Sequence, residues 1–153
     1  MKILRSARLL FDDIDRHLIS RLHNDSRTSI RTLAAEVGLS APSCSERLKR
    51  LEDCGVIRRF TIDFDAAPLG YTIQAIVRVK SLTGQFTLVE RLIKEIPECV
   101  TCYKVTGDDD FVCHLYLRSV AHLDEVLKRL HGKADTHTSI VKTAPLDRRL
   151  PPL

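Results

Sequence analysis

The sequence predicts an α+β fold in two modules: an N-terminal winged helix-turn-helix domain over residues 1–59, a wing or hinge linker over 60–70, and a ferredoxin-like β-α-β-β-α-β domain over 71–153. Three observations predict it. Apolar residues recur at helical spacing through the first 55 residues and change to a period of two after "DAAPLG". Beyond that hinge, strand-type and helix-type segments follow one another in the split β-α-β-β-α-β order. The excess of positive charge is confined to the first module: residues 1–59 hold 12 Lys and Arg against 8 Asp and Glu, whereas residues 60–153 hold 12 of each.

In "FDDIDRHLISRLHND", Ile14, Leu18 and Leu22 form one helical stripe, and Asp12 or Asp13 can cap its start. "SIRTLAAEVG" predicts a short second helix, with Ser29 as cap, Leu33, Ala34 and Val37 inward, and Gly38 in the left-handed conformation that ends a helix. A third helix starts from Ser40, tolerates Pro42 in its first turn, and puts Cys44, Leu48 and Leu51 on one face. Its other side carries Ser43, Ser45, Glu46, Lys49 and Arg50, and Gly55 ends it. Two helices joined by a tight Gly-containing turn, the second with a polar and basic outer face, make the helix-turn-helix pattern. "VIRRFTIDF" alternates enough to be a β-wing or a linker strand, with Arg58 and Arg59 where they could meet phosphates.

After the hinge, "YTIQAIVRVK" alternates as a strand with Ile73, Ala75, Val77 and Val79 on one face. "FTLVERLIKEI" returns to helix, with Phe86, Val89, Ile93 and Ile96 on one stripe. "CVTCYKVTG" and "FVCHLYLRS" are two strands around an acidic turn. "VAHLDEVLKRLHG" is a helix capped by Ser119, with Leu123, Val126, Leu127 and Leu130 inside and Gly132 at its end, and "THTSIVKTAP" is the last strand.

Composition excludes several classes. With 44% apolar and 29% charged residues the chain is an ordinary globular protein, and no run reaches the roughly 18 apolar residues of a membrane span. Five scattered cysteines do not make a disulfide framework, so a cytoplasmic protein is expected. Cys99 and Cys102 form a lone C-x-x-C whose members a regular strand turns to opposite faces, and no second ligand pair follows. No metal, cofactor or catalytic constellation is expected.

The residues then resemble a known family. "LAAEVGLS", the run from Cys44 through Arg47 to Leu51 and Glu52, and "GVI" resemble the turn, recognition helix and following segment of the Lrp/AsnC (leucine-responsive, feast-or-famine) transcriptional regulators. "VTGDDDF" resembles the family's V-x-G-x-x-D-[FY] turn, and "DTHTSIV" its T-x-T-x-x-V strand, so the likeness runs from about residue 11 to residue 146. The resemblance implies a regulator that binds double-stranded DNA and an amino acid or related effector, with homodimers assembling into a higher even-numbered oligomer. It also admits a non-specific, chromatin-like DNA organiser. Some siroheme decarboxylases resemble the family in both halves, but their polyanionic substrate wants a basic C-terminal half, and here that half is neutral.

On the third helix, Ser43, Ser45, Glu46 and Lys49 are the candidates for base edges, and Arg47, Arg50, Arg58 and Arg59 for phosphates. Three readings compete for the acidic turn: a solvated hairpin, a divalent-metal site, and an effector pocket. The resemblance implies the third, through Thr106, Gly107, Asp108 and Asp110 with Thr136 and Thr138. Asp109 stands where the family usually has an aromatic or bulky apolar residue. Either the effector is polar or cationic, or Asp109 points to solvent and the site is vestigial.

Overall fold

A computed structural model describes residues 11–146 and 148–152. The expectations for the N-terminal stretch 1–10 lie outside the described residues. The chain divides into two compact units, one containing residues 11–63 and the tail beyond 145, the other spanning Phe64–Pro145. The tail from Leu146 thus groups with the helical unit, where Arg148 Nη1 lies 3.4 Å from Asp63 Oδ1.

The helical unit holds α1 (Asp13–Asn24), α2 (Ile30–Glu36) and α3 (Ala41–Asp53). Local chemistry sets each start: Asp12, Ser29 and Ser40 accept from the backbone N–H groups of Asp15, Thr32 and Ser43. Gly38, at φ +67°, allows the chain to leave α2 and enter α3 within a few residues. Leu18, Leu22, Leu33, Ala34, Cys44, Leu48 and Leu51 then close a core between the three helices.

The segment read as a β-wing or linker strand forms no strand. Val56 and Ile57 both donate to the Leu51 carbonyl, and the residues from Arg58 to Phe64 are exposed with no ladder partner among the described residues. Alternation alone does not make a strand, because the backbone groups need a second strand to bond.

The second unit is a four-stranded antiparallel sheet, β1 (Ile73–Ser81), β2 (Cys99–Lys104), β3 (Phe111–Leu117) and β4 (Ala134–Ile140), in the order β2-β3-β1-β4. Helices α4 (Phe86–Lys94) and α5 (Val120–Leu127) follow β1 and β3, and the last turn of α5 tightens into a 3₁₀ turn at Lys128–Leu130. One face of the sheet buries Ala75, Val77, Val79, Phe111, Cys113, Leu115 and Leu117 against Val89, Ile93, Leu123, Val126 and Leu130. The other face, with Gln74, Ile76, Arg78, Val112, His114 and Tyr116, is only partly covered.

Strand β2 departs from the regular alternation. Cys99 faces Leu115 while Thr101 faces His114, so an extra residue bulges the strand between them. The bulge puts Cys99 and Cys102 on the same side of the sheet, not on opposite sides, and sets both beside Cys113.

Candidate nucleic-acid interface and ligand loop

The outer face of α3 is built on a buried charge. Asp15 is 0% exposed, and sequence reasoning passed over it. Its carboxylate accepts from Arg47 Nη1 at 3.0 Å and from Arg50 Nη2 at 2.5 Å. Arg47 also donates to Asp12 Oδ2 at 2.7 Å. A buried carboxylate is tolerable only when paired and hydrogen-bonded, so α1 and α3 are joined by these guanidinium groups. The backbone N–H of Asp15 and then the Arg47 guanidinium hold the Asp12 carboxyl below its usual range. Arg47 and Arg50, expected on phosphates, therefore brace the helix pair. A carboxylate three residues before Leu18 on the apolar stripe was the available signal.

What α3 leaves outward is Ser43, Glu46, Lys49 and Asp53, which line one shallow groove with the Arg50 side chain. Ser43 Oγ is bonded to the capping Ser40 Oγ at 2.8 Å, so its hydroxyl is shared with the cap. Ser45 lies on the flank, in a separate depression with Lys49, Glu52 and Phe60. Glu46 and Lys49 are exposed and take no hydrogen bond or ion pair among the described residues. Arg58 and Arg59 are exposed as well.

In the sheet unit, the acidic turn closes with Val105 N–H donating to the Asp110 carbonyl at 3.0 Å, and Gly107 at φ +120° supplies a conformation open to glycine. The three aspartates have three fates. Asp110 Oδ2 accepts from Ser81 N–H at 2.7 Å and its own N–H bonds the Val79 carbonyl, fixing the end of β1. Asp109 is 19% exposed in its side chain, with Oδ2 3.6 Å from Arg78 Nη1. Only Asp108 stands out in solvent, beside exposed Thr106 and Gly107. Asp109 is thus largely withdrawn from solvent and faces Arg78, where the sequence had left open a solvent-facing carboxylate.

Thr136 pairs with Val79 and Thr138 with Val77, so β4 brings both threonines to the same side of β1. Thr136 and Asp110 thereby flank the C-terminal end of β1. Ser81, missed in the sequence, lies there too, and its Oγ is buried without a hydrogen-bond partner among the described residues. No group of three or more His, Cys, Asp or Glu that could hold a metal ion occurs among the described residues.

Comparison with known proteins agrees with this division. Residues 11–52 match the AsnC-type helix-turn-helix domain, and residues 74–151 match the Lrp/AsnC ligand binding domain. The HTH-type transcriptional regulator FL11 of Pyrococcus furiosus is 34% identical over 135 residues, covering 86% of this chain and 89% of its own. The structure of Bacillus subtilis LrpC superposes with a TM-score of 0.84 at 27% identity, over 91% of this chain and 99% of that one. A feast or famine regulatory protein from Mycobacterium tuberculosis, complexed with L-methionine, superposes with a TM-score of 0.83 at 28% identity, over 92% and 97%. With both halves matched, in the order the two units take along the chain, this protein belongs to the Lrp/AsnC family of transcriptional regulators.

Proposed function

We propose that α3 reads duplex DNA through Glu46 and Lys49, with Ser43 and Ser45 at the margins, and that Arg58 and Arg59 hold phosphates. The observation that carries this reading is the division of labour on α3. Arg47 and Arg50 fix the helix to α1, while Glu46 and Lys49 remain exposed and uncommitted. Glu accepts from the cytosine amino group and Lys donates to guanine, at about 1–3 kcal/mol of discrimination per good contact. A single such helix spans few base pairs, so binding as a homodimer to two half-sites is expected. The partly covered sheet face with Ile76, Val112 and Tyr116, and the exposed side chain of Ile62, support self-association. The protein then acts in the cytoplasm as a regulator, not as an enzyme.

Salt dependence tests the phosphate assignment. Arg58→Ala with Arg59→Ala is expected to weaken binding evenly across sequences and to lower the slope of log K against log salt by about 1–2. Filter binding or fluorescence anisotropy across a salt series measures it, and an unchanged slope would remove both arginines from the interface.

The ligand is an amino acid whose side chain is uncharged. Asp109 faces Arg78 and Asp110 is spent on Ser81 N–H, so the loop offers one solvent-facing carboxylate, Asp108, for an ammonium group. The backbone around Gly107 and the Ser81 hydroxyl suit a carboxylate. The methionine complex of the mycobacterial relative supports the same ligand class. Ligand binding would shift the assembly between arrangements of different half-site spacing. A thermal-shift series is expected to show greater stabilisation by methionine or leucine than by lysine or arginine. Greater stabilisation by the cationic pair would show that Asp109 still acts as a free charge.

A further inference from the structure

The thiols of the second unit form a cluster that DNA and ligand binding leave unused. Cys102 and Cys113 are direct cross-strand partners, with their Sγ atoms 3.6 Å apart. Hydrogen bonding fixes which kind of pair this is. Val105 N–H bonds the Asp110 carbonyl at one end of the ladder, and Tyr116 N–H bonds the Glu98 carbonyl at the other. Counting inward from either end makes Cys102–Cys113 a non-hydrogen-bonded pair, where the Cα atoms approach to about 4.5 Å and side chains meet most closely. That spacing lies within the range a disulfide spans. The bulge in β2 adds Cys99 to the same side of the sheet, where its thiol donates to the Thr101 carbonyl at 3.4 Å.

We propose that Cys99, Cys102 and Cys113 form a hydroperoxide-oxidisable centre that ends in a Cys102–Cys113 disulfide. Each thiol has a distinct part. A hydrogen bond from Cys113 holds the Cys99 thiol below its ordinary value, and the same bond, with burial, holds Cys113 above its own. Desolvation raises Cys102, so Cys99 is the first to ionise. Its thiolate attacks the peroxide: the S–O bond forms, the O–O bond breaks, and the leaving alkoxide takes a proton from solvent to become an alcohol. Cys113 next attacks the sulfenic sulfur of Cys99, forming S–S and breaking S–O, and the departing hydroxide leaves with the Cys113 proton as water. The exposed Cys102 then attacks Cys113 and expels Cys99, which takes up the Cys102 proton. Cys99 leaves because the most acidic thiol is the best leaving group. Two thiols have lost two electrons and two protons, and one hydroperoxide has become an alcohol and water. The disulfide clips β2 to β3 just below the turn that carries Thr106 to Asp110.

The full chain carrying Cys54→Ser, which removes an exposed and unrelated thiol, is reduced, exposed to tert-butyl hydroperoxide, alkylated, digested and analysed by mass spectrometry. The expected product is one intramolecular disulfide between the Cys102 and Cys113 peptides. Cys102→Ser is expected to halt the relay at Cys99–Cys113, and Cys113→Ser to leave a Cys99 sulfenic acid that dimedone traps. Cys99→Ser should slow peroxide consumption about tenfold or more, because only the thiolate is the nucleophile. Exposed Cys102 tolerates serine, so its variant stays readable even where Cys113→Ser weakens the sheet. If all three thiols stay fully alkylable after peroxide, or if the disulfide joins other cysteines or two chains, the proposal is wrong.

Discussion

Replacing Arg47 and Arg50 together with methionine is expected to destabilise the helical unit by about 3–5 kcal/mol, the usual cost of stripping the partners from a buried charge. Asp15 has no exposed surface, and each of its oxygens is held by one of the two guanidinium groups. Methionine keeps most of the packing of the arginine stems and removes only the donors. The reverse change, Asp15→Asn, should cost less, about 1–3 kcal/mol. It leaves two arginines whose side chains are 28% and 48% exposed and can turn to water. Urea denaturation followed by helical circular dichroism gives both values, and the expected order is the double arginine variant below Asp15→Asn. DNA binding would fail in the double variant because α3 is no longer held on α1. If that variant proved as stable as the parent and lost only affinity, the two arginines would be phosphate contacts after all.

Phe111→Ala should cost the second unit about 3–5 kcal/mol, as large-to-small changes at buried aromatics do. The ring is 1% exposed, stacks on Phe86 at 5.1 Å between centroids, and lies under the Lys104 ammonium, 5.9 Å from its centre. Phe111 also pairs with Val79 on β1 and directly follows Asp110, whose carboxylate fixes Ser81. A cavity here loosens the strand end from which the ligand loop springs. Two readouts should therefore move together: the denaturation midpoint of the sheet falls, and the amides of Ser81 and Val105 exchange faster with solvent. The amino-acid thermal shift should shrink with them. A loss under about 1 kcal/mol would place Phe111 among sites that collapse without strain.

Local chemistry was legible along the chain. Ser29, Ser40 and Ser119 cap the helices they were expected to cap, because a hydroxyl reaching a backbone N–H three residues on needs nothing distant. The apolar stripes of α1, α3 and α5 and the alternation of β1 and β3 identified the cores. The motifs around Gly38 and Gly107 were enough to indicate the family. The wing was misread because alternation in "VIRRFTIDF" describes one strand, and a strand exists only with a partner.

By itself, then, the sequence determined two modules, their element order, the excess of positive charge in the first, and the polar outer face of α3. All of these depend on periodicity or on contacts a few residues apart. Only the tertiary structure decided which charges are free. Arg47 and Arg50 meet Asp15 across 32 and 35 residues of chain, and Asp110 meets Ser81 across 29. Asp109 reaches Arg78 on another strand, and a bulge turns Cys99 to the side of Cys102 and Cys113. Pairings so far apart leave no periodic trace, because they depend on how helices and strands pack and not on how each one forms.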